Sequence, residues 1–212
     1  MTFASREDAG RRLGQYLCEQ GVVVDRILGL PRGGVVVAAE VARVLQRPLE
    51  VIVVRKVGHP WHREFAVGAL AEGGVAILDH EVVGRNELIQ AQLERVLEEE
   101  RERLHEYELK FHALPRQSFE NQHVLLVDDG LATGATIEAA AVSARRQRAR
   151  GVTVAVPVAS IQAVERVQRV ADVVIALLVD PDFDAVGRYY RVFQQTSDEE
   201  VLALLKAVRD PV

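Results

Sequence analysis

Short apolar runs alternate along this chain with stretches whose apolar residues recur at helical spacing. Val22–Gly29, Leu49–Val54, Val124–Val127, Val152–Pro157 and Asp172–Leu178 have the length and β-branched content of buried strands. Val35–Gln46, Thr136–Arg148 and Ser160–Val170 carry the helical period between them. That alternation predicts an α/β fold, a mainly parallel sheet flanked by helices on both faces. Ser5 is placed to cap a first helix, with Asp8 three residues on, Leu13, Tyr16 and Leu17 on one face, and Gly21 closing it.

The middle of the chain departs from the alternation. Phe65–Leu70 and Val75–Leu78 read as a hairpin joined through Ala71-Glu72-Gly73-Gly74. Asn86 to about Phe111 reads as one long helix, with Leu93, Val96, Leu97, Leu104 and Leu109 as a partial stripe, ended at Leu114-Pro115-Arg116. The run Glu98–Arg103 mixes both signs and suits a solvated face. A homo-oligomer contacting along this helix is a further reading of the stripe. Thr196–Glu199 caps a final helix with Val201, Leu204, Leu205 and Val208 on one face. With no repeat, low-complexity tract or linker, the expectation is one domain over 1–212. Its core would span about 22–57 and 120–180, an inserted flap and long helix about 58–114, and a C-terminal hood segment about 180–212.

Composition narrows the classes. A net charge of −5 argues against a general nucleic-acid binder. No apolar run approaches the ~20 residues that span a bilayer, and Met1–Asp8 lacks a basic-then-apolar signal pattern. The one cysteine, Cys18, permits no internal disulfide and falls in a helical pattern. The expectation is a cytoplasmic protein with neither nucleic acid nor membrane as partner.

The chemistry concentrates in Val124–Thr136, an apolar strand followed by Asp128-Asp129-Gly130-Leu131-Ala132-Thr133-Gly134-Ala135-Thr136 and then a helix. Ligands of open α/β sheets bind beyond the carboxyl ends of the strands. The turn offers backbone N–H groups and a helix's positive end, a seat for phosphate. Thr133 and Thr136 add hydroxyls, and Gly134 allows close approach. The two carboxylates suit ribose hydroxyls. No Gly-Lys-Ser/Thr follows and no Gly-x-Gly-x-x-Gly is present, so neither a Walker loop nor a Rossmann fingerprint applies.

This ordered stretch resembles the phosphoribosyl pyrophosphate (PRPP) signature of type I phosphoribosyltransferases, and the resemblance covers about residues 22–190. It implies a magnesium-dependent, nucleotide-salvage type of reaction: transfer of the 5-phosphoribosyl group of PRPP to a nitrogenous acceptor, with release of pyrophosphate. By the same resemblance Asp128 and Asp129 would hold the ribose hydroxyls, and Ala132, Thr133, Gly134, Ala135 and Thr136 the 5′-phosphate. Mg²⁺ would be held largely through substrate and waters, with Asp128 and Asp129 the nearest protein oxygens.

Other segments fit that frame. Leu30-Pro31-Arg32-Gly33-Gly34 ends the first strand, and its Gly amides and Arg32 suit an anion. The family holds pyrophosphate with a loop at this position that often carries a non-proline cis peptide, here the Pro31–Arg32 bond; an ordinary βα turn is the alternative. Arg55-Lys56 would put two cations at the carboxyl end of the second strand, toward the pyrophosphate. A solvated basic pair is the plain reading. Arg32 and Lys56 join the two acids as the expected catalytic set. Gly58–Glu64 reads as a mobile loop closing over the site; His59, His62 and Glu64 are too closely spaced, and lack a second cluster, to favour a metal.

Two of the six phenylalanines and two of the four tyrosines lie between residues 183 and 193. Phe183, then Tyr189, would stack on an acceptor base; a satellite cluster anchoring the last helix is the alternative. Ala132 stands where hypoxanthine-guanine enzymes usually carry an aspartate, which counts against that specificity. The competing reading is a non-catalytic regulatory protein that senses PRPP or a nucleotide on the same fold.

Overall fold

A computed structural model describes residues 2–79, 87–112 and 118–208, with the side chains of Glu64 and of 87–90 also outside the description. Two sheets organise the chain. The larger is parallel, in the order β2-β1-β6-β7-β8, from β1 (Arg26–Gly29), β2 (Leu49–Val51), β6 (His123–Val127), β7 (Gly151–Ser160) and β8 (Val173–Asp180). The smaller is antiparallel, β3 (Val54–His59), β4 (His62–Ala71) and β5 (Val75–Leu78). The helices are α1 (Arg6–Glu19), α2 (Gly33–Leu45), α3 (Glu87–Phe111), α4 (Ala135–Arg146), α5 (Ile161–Val167) and α6 (Asp198–Val208). The expected helix start at Asn86 and its stop at Leu114-Pro115-Arg116 lie outside the described residues.

Strand alternation divides the core between the two faces. Ile27, Leu125 and Val127 point toward α1, α2 and α6, where they meet Leu13, Val37, Val41 and Val201. Leu28, Val124, Leu126 and Val154 point the other way, onto Ile137, Ala140 and Ala144 of α4 and Ala163 and Val167 of α5. A sheet buried on both faces needs unbroken apolar strands, which explains why β6 and β7 read as runs rather than alternations.

Two expectations need correction. Leu49–Val54 was expected as one core strand; β2 stops at Val51, and β3 begins at Val54 in the other sheet. The chain leaves β1 because the Val53 N–H donates to the buried Glu72 Oε2 at 3.1 Å rather than to the parallel ladder. Gly58–Glu64 was expected as a loop; instead β3 and β4 pair to the hairpin tip, His59 opposite His62, with only Pro60 and Trp61 between them. The register shifts at Gly58, where a side chain would run into the Arg63 backbone carbonyl.

Glu72 ties this small sheet down. It accepts from His112 Nε2 at 2.8 Å, if that nitrogen carries the proton, and from Gln147 Nε2 at 3.1 Å, while its backbone carbonyl accepts from Ser143 Oγ at 2.6 Å. The two ends of the described chain meet as well. The Phe3 N–H donates to the Tyr189 carbonyl and the Arg191 N–H to the Phe3 carbonyl, at 2.7 and 2.9 Å.

Candidate functional site

Two helices of the parallel sheet begin without a side-chain cap, and both lie at the carboxyl ends of central strands. Ser5 caps α1 and Ser160 caps α5, each hydroxyl accepting from the backbone N–H three residues on. The cap positions of α2 and α4 are Arg32 and Gly134, and neither provides a side-chain bond, although Thr133 Oγ1, one residue before Gly134, lies 3.5 Å from the Ala135 N–H. First-turn N–H groups left without a cap partner are what an anion requires.

The α4 turn is held in shape by its neighbours. The Leu131 N–H donates to the Val158 carbonyl and the Ser160 N–H to the Leu131 carbonyl, both at 2.9 Å, and Ser160 Oγ donates to the Ala132 carbonyl at 2.7 Å. Gly134 has φ +75°, a left-handed conformation natural to glycine. Residues 130–136 line a cavity of about 390 Å³, closed on its other side by Lys56, Phe65 and Ala66 of the small sheet. Leu30–Gly34 forms the second turn, and its Pro31–Arg32 peptide is cis, as the sequence led us to expect.

Between the two turns stand the acids. A Cβ on Gly34 would lie 2.7 Å from Asp128 Oδ1, and a Cβ on Gly33 would overlap Asp129 Oδ2. Thus α2 approaches the acid pair as closely as glycine permits. Asp128 Oδ1 accepts from the Asp129 N–H at 2.8 Å. Burial holds the Asp128 carboxyl well above the usual range; the adjacent Asp129 charge pushes the same way, against the Asp129 N–H and Arg6. Burial also raises Asp129, and Arg6 opposes it. The Tyr190 hydroxyl donates to the Asp129 carbonyl at 2.6 Å, and burial, then the Asp129 charge, raises that phenol.

Arg6 received no attention in the sequence. Its Nε donates to Asp129 Oδ2 at 2.8 Å across 123 positions of chain. No local signal marks such a contact, since one arginine in a helix's first turn looks like any other.

The expected cations separate. Lys56 borders the cavity at the α4 turn. Arg55, expected beside it, faces the other side of β3: its guanidinium pairs with the buried Glu100 of α3 at 2.9 Å and lies 5.2 Å from the Tyr107 ring. Consecutive strand residues point to opposite faces, so the dipeptide serves two surfaces. Arg32 sits at the α2 turn, 3.7 Å from Asp198 at the start of α6.

Phe183 and Tyr189 stack on each other, ring centres 5.4 Å apart. They join a cluster with Phe3, Val158 and Tyr190. The Tyr189 hydroxyl donates to Asp180 Oδ2 at 2.7 Å, and burial, then this bond, raise it to about 12. His59 and His62 stack on one another at the hairpin tip. Among the described residues no three His, Cys, Asp or Glu side chains converge to hold a metal. The Asp128 and Asp129 oxygens are hard donors of the kind that could hold a divalent cation such as Mg²⁺. Among the described residues no helix is long and apolar enough to cross a membrane.

Comparison with known proteins adds to this geometry. A family model described as a phosphoribosyl transferase domain matches residues 5–190. A protein of Mycobacterium tuberculosis strain H37Rv, provisionally named phosphoribosyl transferase Rv0571c, is 44% identical over 213 residues, covering 98% of this chain and 47% of its own length. The chain therefore spans about half the length of the curated relatives it matches. The crystal structure of TT1426 from Thermus thermophilus is 45% identical, with a TM-score of 0.79 over 97% of this chain and 98% of that one. A Neisseria gonorrhoeae protein crystallised with bound ppGpp shares the fold alone, at 13% identity and a TM-score of 0.51 over 99% of both chains.

Proposed function

The chain belongs to the phosphoribosyl transferase domain family, and from that premise we propose that it moves the 5-phosphoribosyl group of PRPP onto a nitrogenous acceptor, releasing pyrophosphate. The observation that carries this reading is the acid pair Asp128-Asp129 set between two helix starts that lack side-chain caps. One turn suits each phosphate end of PRPP, and the acids suit the ribose between them.

The roles follow from what each group can donate or accept. The carboxylates of Asp128 and Asp129 accept hydrogen bonds from the ribose 2′- and 3′-hydroxyls and fix the sugar. The N–H groups of Ala132–Thr136, with the hydroxyls of Thr133 and Thr136, hold the 5′-phosphate. Arg32 and the Gly33 and Gly34 amides hold the pyrophosphate, with Lys56 reaching in from the small sheet. Arg55 acts from further away, by bracing β3 against α3. A bond forms from the acceptor nitrogen to ribose C1 as the bond from C1 to the pyrophosphate oxygen breaks; both electrons of that bond leave with pyrophosphate, and the proton of an N–H acceptor passes to pyrophosphate or water. Catalysis is then positioning, together with stabilisation of the departing charge. Bound Mg²⁺ supplies neutralising charge to the phosphates. The hairpin β3–β4 shields the reacting carbon from water. Phe183, then Tyr189, are the faces on which an acceptor base would stack, although the two rings already stack on each other.

The test is pyrophosphate release from PRPP and Mg²⁺ against a panel of purine, pyrimidine and other nitrogenous acceptors. Release with one acceptor is expected. PRPP binding with no release across the panel would favour a sensor that does not turn PRPP over. One observation already leans toward that second reading: Arg55 pairs with Glu100 instead of facing the ligand side.

A further inference from the structure

Arg6 is placed unlike any other cation near the site. Its side chain is only 11% exposed, and three different partners fix the guanidinium. Nε donates to Asp129 Oδ2 at 2.8 Å, Nη1 donates to the Gln194 backbone carbonyl at 2.6 Å, and the guanidinium carbon lies 3.9 Å from the centre of the Phe193 ring. A Cβ on Gly33 would come within 2.6 Å of Nε, so Arg6 also touches the pyrophosphate-side turn. One residue of α1 therefore joins the acid pair, the α2 turn and the segment leading into α6.

A structural ion pair would serve as well anywhere in the core, and buried pairs add little stability over apolar packing. This one sits on the ligand side of the sheet, on one of the two carboxylates assigned to ribose. Resting on the transferase reading, we propose that Arg6 is the positioning residue of the ribose-binding acids. It ties up Asp129 Oδ2 and so turns Oδ1 toward the sugar. Because the same guanidinium holds Gln194 and Phe193, the terminal segment and the ribose site are set by one side chain. A planar fork donating in two fixed directions is required, which arginine supplies and lysine does not.

The test measures binding of two probes by calorimetry with Mg²⁺: PRPP, which needs the ribose acids, and inorganic pyrophosphate, which needs the α2 turn and Lys56 but not the acids. Loss of a charge-assisted bond predicts PRPP binding about tenfold or more weaker in Arg6→Ala. Pyrophosphate binding should change by less than about twofold, well under one bond's worth. Arg6→Lys should recover only part of the loss. If Arg6→Ala fails to fold, Phe193→Leu carries the test, with PRPP about two- to fivefold weaker through loss of the ring face. Wild-type affinity for PRPP in Arg6→Ala, equal losses for both probes, or full recovery in Arg6→Lys would each overturn the proposal. Absence of PRPP binding in the wild-type protein would instead overturn the transferase reading beneath it.

Discussion

Gly33 and Gly34 are neighbours in sequence, yet the structure predicts that alanine at each breaks something different. A Cβ on Gly34 meets backbone: the Asp128 Cα at 2.9 Å and the Val127 carbonyl oxygen at 3.0 Å, besides Asp128 Oδ1 at 2.7 Å. Carbon atoms in contact prefer about 3.5–4.0 Å, and no side-chain rotation relieves a clash with β6 itself. Helix α2 must retreat, and it carries Val35, Val37 and Val41 into the core. Overpacking of this kind costs about 1–3 kcal/mol. The gain from Ala over Gly, about 0.8–1 kcal/mol in a helix interior, is smaller in a first turn. For a chain of this size the net loss lowers Tm by about 2–4 °C per kcal/mol. The three atoms nearest a Cβ on Gly33 are all side-chain ends, Asp129 Oδ2 and two nitrogens of the Arg6 guanidinium. Both can rotate, so Gly33→Ala should hold its stability within about 1 kcal/mol yet lose PRPP affinity. Thermal melts and calorimetry on the two variants separate the effects. A Gly34→Ala protein that melts with the wild type, or a Gly33→Ala protein that binds PRPP normally, would refute this reasoning.

Other perturbations test other parts of the account. Asp128 is held above its ordinary range, so the folded chain keeps that proton at pH values where the unfolded chain has lost it. Stability contributed by this group therefore falls as pH rises from the ordinary carboxylate range through the raised value. Asp128→Asn should be more stable than wild type at neutral pH, by a margin that shrinks on acidification, while losing PRPP binding; denaturant unfolding across pH checks it. Glu72→Ala should cost roughly 3 kcal/mol or more, since it strands the buried Val53 N–H and removes the bonds from His112 and Gln147, which chemical unfolding reads directly. Lys56→Ala should weaken pyrophosphate binding in calorimetry. Arg55→Ala should leave that binding within about twofold and show its effect in denaturant unfolding, costing roughly 1–2 kcal/mol. That is less than the roughly 3–5 kcal/mol of a fully buried pair, because Arg103 also reaches Glu100, at 2.6 Å.

Much of this was legible in the chain. The central strands β6 and β7 announce themselves because burial on both faces demands continuous apolar runs. The turn 130–136 and the Pro31–Gly34 turn are local motifs, so their residues could be named in advance. What stayed hidden depends on pairing. Val54 continues an apolar run from Leu49, and its diversion into a second sheet depends on pairing with β4 and on Glu72, whose carboxylate and backbone N–H both bond Val53. Gly58–Glu64 reads as a mobile loop, whereas His59 and His62 are opposed across a tight hairpin. Arg55-Lys56 reads as one basic patch until the strand's twofold period splits it. Arg6 meets Asp129 through tertiary packing, with α1 lying close on α2 and Phe3 bonded to Tyr189 and Arg191, and no local pattern records that.

The central claim is that Asp128-Asp129 and the two turns beside it form one PRPP site. Calorimetric titration of PRPP with Mg²⁺ into the wild-type protein and into Asp129→Ala tests it most directly. The account predicts binding to the wild type, and its loss in a variant that keeps a cooperative thermal transition. Equal affinity in the two proteins, or no binding to the wild type, would contradict it.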